Sequence, residues 1–219
     1  MPHRDEQIVS FTERYRLGTN QAYQRAITPD ISLNAVTKVT ARLCRQGLLS
    51  RYPLIPPEDY FTPGPVACRR LGLPLRRTEP LGPQALPMDY AVLLYCIHGQ
   101  RTRLTRTELD SKTPWLPDEL LHAPYTQTAA GLMELVRVDL GGSPMHVAKK
   151  AATDCAHRME IPEFCQLVEK DQFQLVVLTT TQSKARLIRQ AMESLARNDK
   201  ARFHLATIPR LSFLHLRQQ

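Results

Sequence analysis

No apolar run in this chain of 219 residues reaches the length of a membrane-spanning helix; the longest, YAVLLYCI at 90–97, stops after eight. The opening MPHRDEQ is polar and lacks the apolar stretch of a secretion signal. A cytoplasmic protein with no membrane partner is therefore expected. Cysteine is sparse for a stapled fold: five residues at 44, 68, 96, 155 and 165, odd in number and scattered, which suits reduced thiols. Cys96 with His98, or Cys155 with His157 and Cys165, lack the two paired short spacings of a zinc site, so no metal is expected there. The sequence also has no Gly-rich phosphate loop, no Ser nucleophile elbow and no HExxH. Acidic residues are in deficit: Asp+Glu 21 against Lys+Arg 29 leaves +8, a balance that favours a polyanionic partner.

What is present is an ordinary globular composition, 42% hydrophobic and 23% charged, long enough for one large domain or two small ones. The N-terminal third predicts three helices and a hairpin. In RDEQIVSFTERYR, Ile8, Val9, Phe11 and Tyr15 fall near one face. Gly18 ends that element, and Thr19 or Asn20 can cap a short second helix carrying Ala22, Tyr23 and Ala26. TPDIS makes a turn, and Ser32 caps a third helix with Val36, Val39 and Leu43 in an apolar stripe and Gly47 as its stop. The complementary face of that helix carries Asn34, Thr37, Lys38, Ala41, Arg42 and Arg45. Asn and Arg can address base edges, while Lys and Thr suit phosphates.

Such a face on an isolated helix would be merely solvated. Its sequel alters the reading. Leu48–Leu54 predicts a strand, PPED a turn and Tyr60–Thr62 the returning strand, with Arg51 at the base of this wing; Pro63–Leu71 restarts a helix bearing Arg69 and Arg70. Over residues 4–72 this order resembles bacterial winged helix-turn-helix regulators. That resemblance implies a helix in the major groove, with Asn34, Thr37, Lys38, Ala41 and Arg42 nearest the bases and Arg45, Arg51, Arg69 and Arg70 at phosphates.

Residues 73–88 are Pro-rich and aperiodic, placing a boundary there: a DNA-binding domain at 1–75, a connecting segment with a buried helix (DYAVLLYCIHGQ) at 76–121, and an α/β domain at 122–219. Arg101, Arg103 and Arg106 either extend a DNA footprint or occupy a solvated loop, and Thr105 or Thr107 can start a short helix. GLMELVRVDL alternates as a strand, with Glu134, Val136 and Val138 on one side and Met133, Leu135, Arg137 and Asp139 on the other. After GGSP come helices over MHVAKKAATDCAHRME and PEFCQLVEKD, a strand QFQLVVLTTT, a helix over 183–199 with Ile188, Ala191, Met192 and Leu195 in a stripe, and a strand RFHLATI. Strands alternating with helices predict a mixed, mainly parallel sheet.

The succession winged helix, connection, VDLGG, KK, VLTTTQSKARLI resembles the replication-relaxation family of bacterial plasmid and mobile-element proteins. The resemblance implies a C-terminal domain of restriction-endonuclease-like fold, where paired acids and a lysine hold Mg²⁺ and orient water. Asp139 falls on the acidic strand position and Lys149 or Lys150 near the lysine position. Arg137 reverses the other acid, and Pro124–Tyr125 stands where an acid after proline belongs. Glu134 lies on the opposite face from Asp139. LDSK at 109–112 has acid-x-lysine spacing but loop-like surroundings. A lone Asp139 holds metal poorly, so the domain is expected to be catalytically degenerate, with Arg137 and Asp139 forming a local ion pair. The expected function is sequence-specific binding of double-stranded DNA by a homodimer, as a transcriptional regulator or an accessory factor in replication or transfer, without cofactor. The alternatives are a Mg²⁺-dependent nuclease delivered by the wing and a protein-interaction module of a larger assembly.

Overall fold

The computed structural model describes residues 3–195 and 201–216, so the end of the helix expected over 183–199 lies outside the described residues. No helix among these residues is long and apolar enough to cross a membrane. The protein is a mixed α+β chain in two compact units, Met1–Ile97 and His98–Gln219.

The first unit begins with α1 (His3–Tyr15), α2 (Asn20–Ile27) and α3 (Leu33–Arg45), followed by an antiparallel hairpin of β1 (Leu49–Ile55) and β2 (Glu58–Pro63). The helix starts follow from hydroxyl caps. Thr19 Oγ1 accepts from the Ala22 amide at 3.1 Å and Ser32 Oγ from the Ala35 amide at 3.3 Å, each satisfying a donor the first turn leaves orphaned. Ile8, Val9, Tyr23, Val36, Val39, Leu43, Leu48, Leu49 and Phe61 form one buried cluster, while Ala26, expected inside, is exposed. Gly47 (φ 69°) turns the chain from α3 into β1 in the left-handed region that favours glycine.

Gly18 and Phe61 exchange both backbone hydrogen bonds, at 2.9 and 2.8 Å, so β2 is paired on each side. A Cβ on Gly18 would sit 2.3 Å from the Tyr23 ring, so only glycine fits beneath that ring.

Beyond the hairpin run α4 (Pro65–Leu71), a 3-10 turn at Leu75–Thr78, and α5 (Ala85–Gly99). The Pro-rich stretch is fastened rather than loose. The Thr78 carbonyl accepts from Tyr52 Oη (2.6 Å) and Thr62 Oγ1 (3.1 Å), and the Leu81 amide donates to Tyr60 Oη (2.9 Å). These bonds explain why the division falls at Ile97/His98, inside the segment expected to be a connection. In α5, residues Tyr90–Cys96 are buried on every side, as a helix that is apolar all round requires.

The second unit carries a five-stranded sheet in the order β3 (Arg101–Arg103), β4 (Tyr125–Thr128), β5 (Met133–Val138), β6 (Phe173–Thr179), β7 (Arg202–Thr207). β3, β4 and β5 pair antiparallel, and β5, β6 and β7 pair parallel. The sheet is therefore evenly mixed, not mainly parallel. The missing elements are RTR and YTQT, whose short length and polar residues hide them from any periodicity. α6 (Arg106–Lys112) includes LDSK, expected as a loop, because Thr105 and Glu108 form a capping box at its start. The parallel crossovers are made by α7 (Pro144–Arg158) with α8 (Pro162–Glu169), and by α9 (Gln182–Ser194); α10 (Leu211–Leu216) follows β7. Tyr125, Leu135, Leu175 and Val177 on one sheet face pack with Ala148, Ala151, Cys155, Phe164 and Ile188 from these helices. Cys155 is thus a core side chain.

Candidate nucleic-acid interface

α3 presents two faces. Val36, Val39 and Leu43 are buried, while Asn34, Thr37, Lys38, Ala41 and Arg45 are exposed in one continuous stripe at spacings of three and four residues. Between this stripe, the start of α2 and the hairpin opens a cleft of about 550 Å³. Its walls include Asn20, Thr37, Ala41, Arg45, Arg51 and Asp59.

One amide links α2 to α3. Asn20 Nδ2 donates to Thr37 Oγ1 (3.2 Å), and Asn20 Oδ1 accepts from Thr40 Oγ1 (2.9 Å). Thr37 sends its own proton to the Leu33 carbonyl at 3.0 Å, so toward the cleft its hydroxyl offers an acceptor only. Spacing along one helix could not disclose Asn20, which acts on another.

Arg42 departs from the sequence expectation. Its guanidinium grips the fully buried carboxylate of Asp5 in α1, Nη1–Oδ2 3.0 Å and Nη2–Oδ1 2.8 Å, a bidentate pair. Hydrogen bonding to Asp5 raises the guanidinium pKa above its ordinary value. An arginine committed to a buried acid is not available to a base, and Arg42 leaves the reading set for the joint between α1 and α3. The buried Asp5 that dictates this was not singled out in the sequence.

Arg51 projects from β1, well exposed, but its Nε lies 2.6 Å from Asp59 Oδ2, which its Nη2 also contacts. Glu58 accepts from Gln21 Nε2 at 3.1 Å. Arg69 and Arg70 are exposed in the last turn of α4.

The implied nuclease centre is differently furnished. Asp139 lies just past the end of β5, buried; its Oδ2 accepts from Thr179 Oγ1 (2.7 Å) and contacts Lys184 Nζ (2.7 Å), while Oδ1 accepts from the Gly141 amide (3.0 Å). Lys149 and Lys150 are exposed on α7; the lysine at the acid is Lys184, from the start of α9. The expected Arg137–Asp139 pair is not made either, because Arg137 pairs with Asp154 of α7. Burial pulls the Arg137 guanidinium below its ordinary pKa, and Asp154 opposes that shift. Tyr125 Oη accepts from the buried Arg158 Nε at 2.7 Å. A carboxylate whose oxygens already serve a lysine, a hydroxyl and an amide does not suit Mg²⁺, which requires oxygen donors in octahedral array. Among the described residues, no three or more His, Cys, Asp or Glu side chains gather as a metal cluster.

Glu134, on the other sheet face, is buried in a polar row. It accepts from Arg101 Nε (3.0 and 3.1 Å), Thr126 Oγ1 (2.6 Å) and Gln174 Nε2. Arg101 and the 8%-exposed Arg103 thus belong to the sheet rather than to a loop or an outlying DNA contact; Arg106 pairs with Asp110 and Asp118.

Compared with known protein families, curated proteins and solved structures, the chain matches none. The functional reading therefore rests on its own residues.

Proposed function

We propose that the first unit is a winged helix-turn-helix that binds double-stranded DNA sequence-specifically, with α3 in the major groove. The observation that carries this reading is the exposed stripe Asn34, Thr37, Lys38, Ala41 and Arg45, set on a helix whose opposite face is wholly buried. A helix of this width fits the major groove, where base-edge patterns are distinct. The order of three helices and a hairpin supports the winged form, as does the second backbone partner that Gly18 gives β2. Asn34 suits an adenine edge, Thr37 a base-edge donor, and Lys38 and Arg45 phosphates or guanine. Arg69 and Arg70 add phosphate contacts.

The second unit, in this reading, is a restriction-endonuclease-like scaffold without catalysis that dimerises the chain or recruits a partner. Asp139 serves it as a structural acid held by Lys184. For the biological setting this reading draws on the sequence pattern's resemblance to replication-relaxation proteins: regulation of transcription, or an accessory role in plasmid or mobile-element replication or transfer, in the cytoplasm. Two-fold dimers bind paired half-sites, so the preferred DNA should be a palindrome.

The test is selection of bound duplexes from a random pool, then anisotropy titrations of the selected and a scrambled duplex across a salt series. A palindromic motif should emerge. Affinity should fall steeply with salt, and Lys38→Ala or Arg45→Ala should each reduce the log–log salt slope by about one where the residue touches phosphate. Arg42→Ala should lower thermal stability and leave base preference alone. Binding that ignores salt, or is unchanged by both Lys38→Ala and Arg45→Ala, overturns the proposal.

A further inference from the structure

The cleft beside α3 is electrically divided in a way that a simple DNA-binding surface has no need to be. It holds two cations, Arg45 and Arg51, and two carboxylates, Glu58 and Asp59. The chain carries +8 overall, yet these four charges cancel where the hairpin faces the reading helix. Strand register explains how the pair forms. Arg51 stands opposite Phe61 and Pro53 opposite Asp59, so Arg51 and Asp59 are diagonal neighbours on one face of the hairpin. Arg51 Nε then donates to Asp59 Oδ2 at 2.6 Å, with Nη2 on the same oxygen.

We infer that Asp59 is a brake on sequence-independent DNA binding: it occupies the Arg51 guanidinium and sets a negative charge where a phosphate would approach the wing. Non-specific affinity comes almost wholly from cations that neutralise phosphates and release counterions. A guanidinium held by a carboxylate in the same cleft contributes little to that sum. The pair is exposed, 63% at Arg51 and 22% at Asp59, so it is weak and opens readily. A weak pair restrains affinity without abolishing it, leaving discrimination to α3. Asp59 is thus a positioning residue acting through Arg51, and the inference rests on the DNA reading proposed above.

The experiment compares full-length wild type, Asp59→Asn, Arg51→Ala and the double variant on a scrambled duplex, by anisotropy across a salt series. Asparagine preserves shape on an exposed hairpin, and circular dichroism melts check that all four fold alike. Asp59→Asn should bind the scrambled duplex about three- to tenfold tighter at ~0.1 M salt, with a log–log slope steeper by about one. In the Arg51→Ala background the same substitution should give no steepening and at most a small gain. A merely structural role for Asp59 would not move the slope. Unchanged or weaker binding by Asp59→Asn overturns the brake while wild-type binding still stands, since it would mean that Asp59 orients Arg51 toward DNA or does nothing. An equal gain with Arg51 absent also overturns it, reducing the effect to bulk charge. If neither wild type nor Asp59→Asn shows salt-dependent binding, the DNA reading itself fails, and the brake fails with it.

Discussion

Tyr23 shows how a buried side chain makes the stability of the first unit sensitive to alkaline pH. It is fully buried, its ring stacked edge-on near Phe11 and tilted toward Phe61, and its hydroxyl lies 2.7 Å from Thr12 Oγ1. Burial pushes the phenol pKa well above the ordinary tyrosine range, and the Thr12 hydrogen bond only partly opposes it. For an acid whose folded pKa is raised, the neutral form favours the fold. Stability is then complete below the unfolded value near 10 and is lost as pH rises above it. The first unit should therefore lose stability as pH rises above ~10, with Tyr60, also raised by burial, adding a smaller loss. Tyr23→Phe should make that decline shallower. Its cost at neutral pH should be only about 1 kcal/mol, because Thr12 keeps the Ile8 carbonyl as an acceptor at 2.6 Å. Urea unfolding at a series of pH values checks both; an unchanged alkaline slope in Tyr23→Phe would remove Tyr23 from the account.

At the scale of elements, the buried Asp139 ties together the ends of β5 and β6 and the start of α9 through Thr179 and Lys184. Lys184→Met leaves a buried carboxylate with only its hydroxyl and amide donors, and should cost about 1–3 kcal/mol. A double-mutant cycle with Asp139→Ala should show coupling on the order of 1 kcal/mol. Thermal melts of the three variants measure it, and strict additivity would mean that the contact contributes nothing. The same pair marks how far the sequence could be read. The stripe Val36, Val39, Leu43 was legible because one helix repeats its inward positions every three or four residues. Strand alternation puts Arg137 beside Asp139 and the resemblance points to Lys149 or Lys150, whereas the lysine the fold supplies, Lys184, lies past a whole crossover. Arg42 was legible as a residue off the apolar stripe, yet its direction depends on Asp5, 37 positions earlier. β3 and β4 were missed since three or four polar residues in a sheet owe their form to neighbouring strands rather than to local pattern.

At the scale of the whole molecule, the decisive contacts are long in sequence. Gly18 and Phe61 are joined by reciprocal hydrogen bonds, and no chain lacking either residue can build that bridge. Contacts of such separation form late, because the loop between them must first close. Hydrogen exchange should find the Gly18 and Phe61 amides opening only with the global unfolding of the first unit. Fast exchange at both, with α3 protected, would show the hairpin to be a separable appendage. Synthesis on the ribosome gives the bridge a further meaning. α3 emerges early, but the hairpin beside it closes only after Phe61 has cleared the exit tunnel. A nascent chain stalled short of that point carries every side chain of the α3 stripe, braced by α1 and α2 but without the hairpin that completes the cleft beside it.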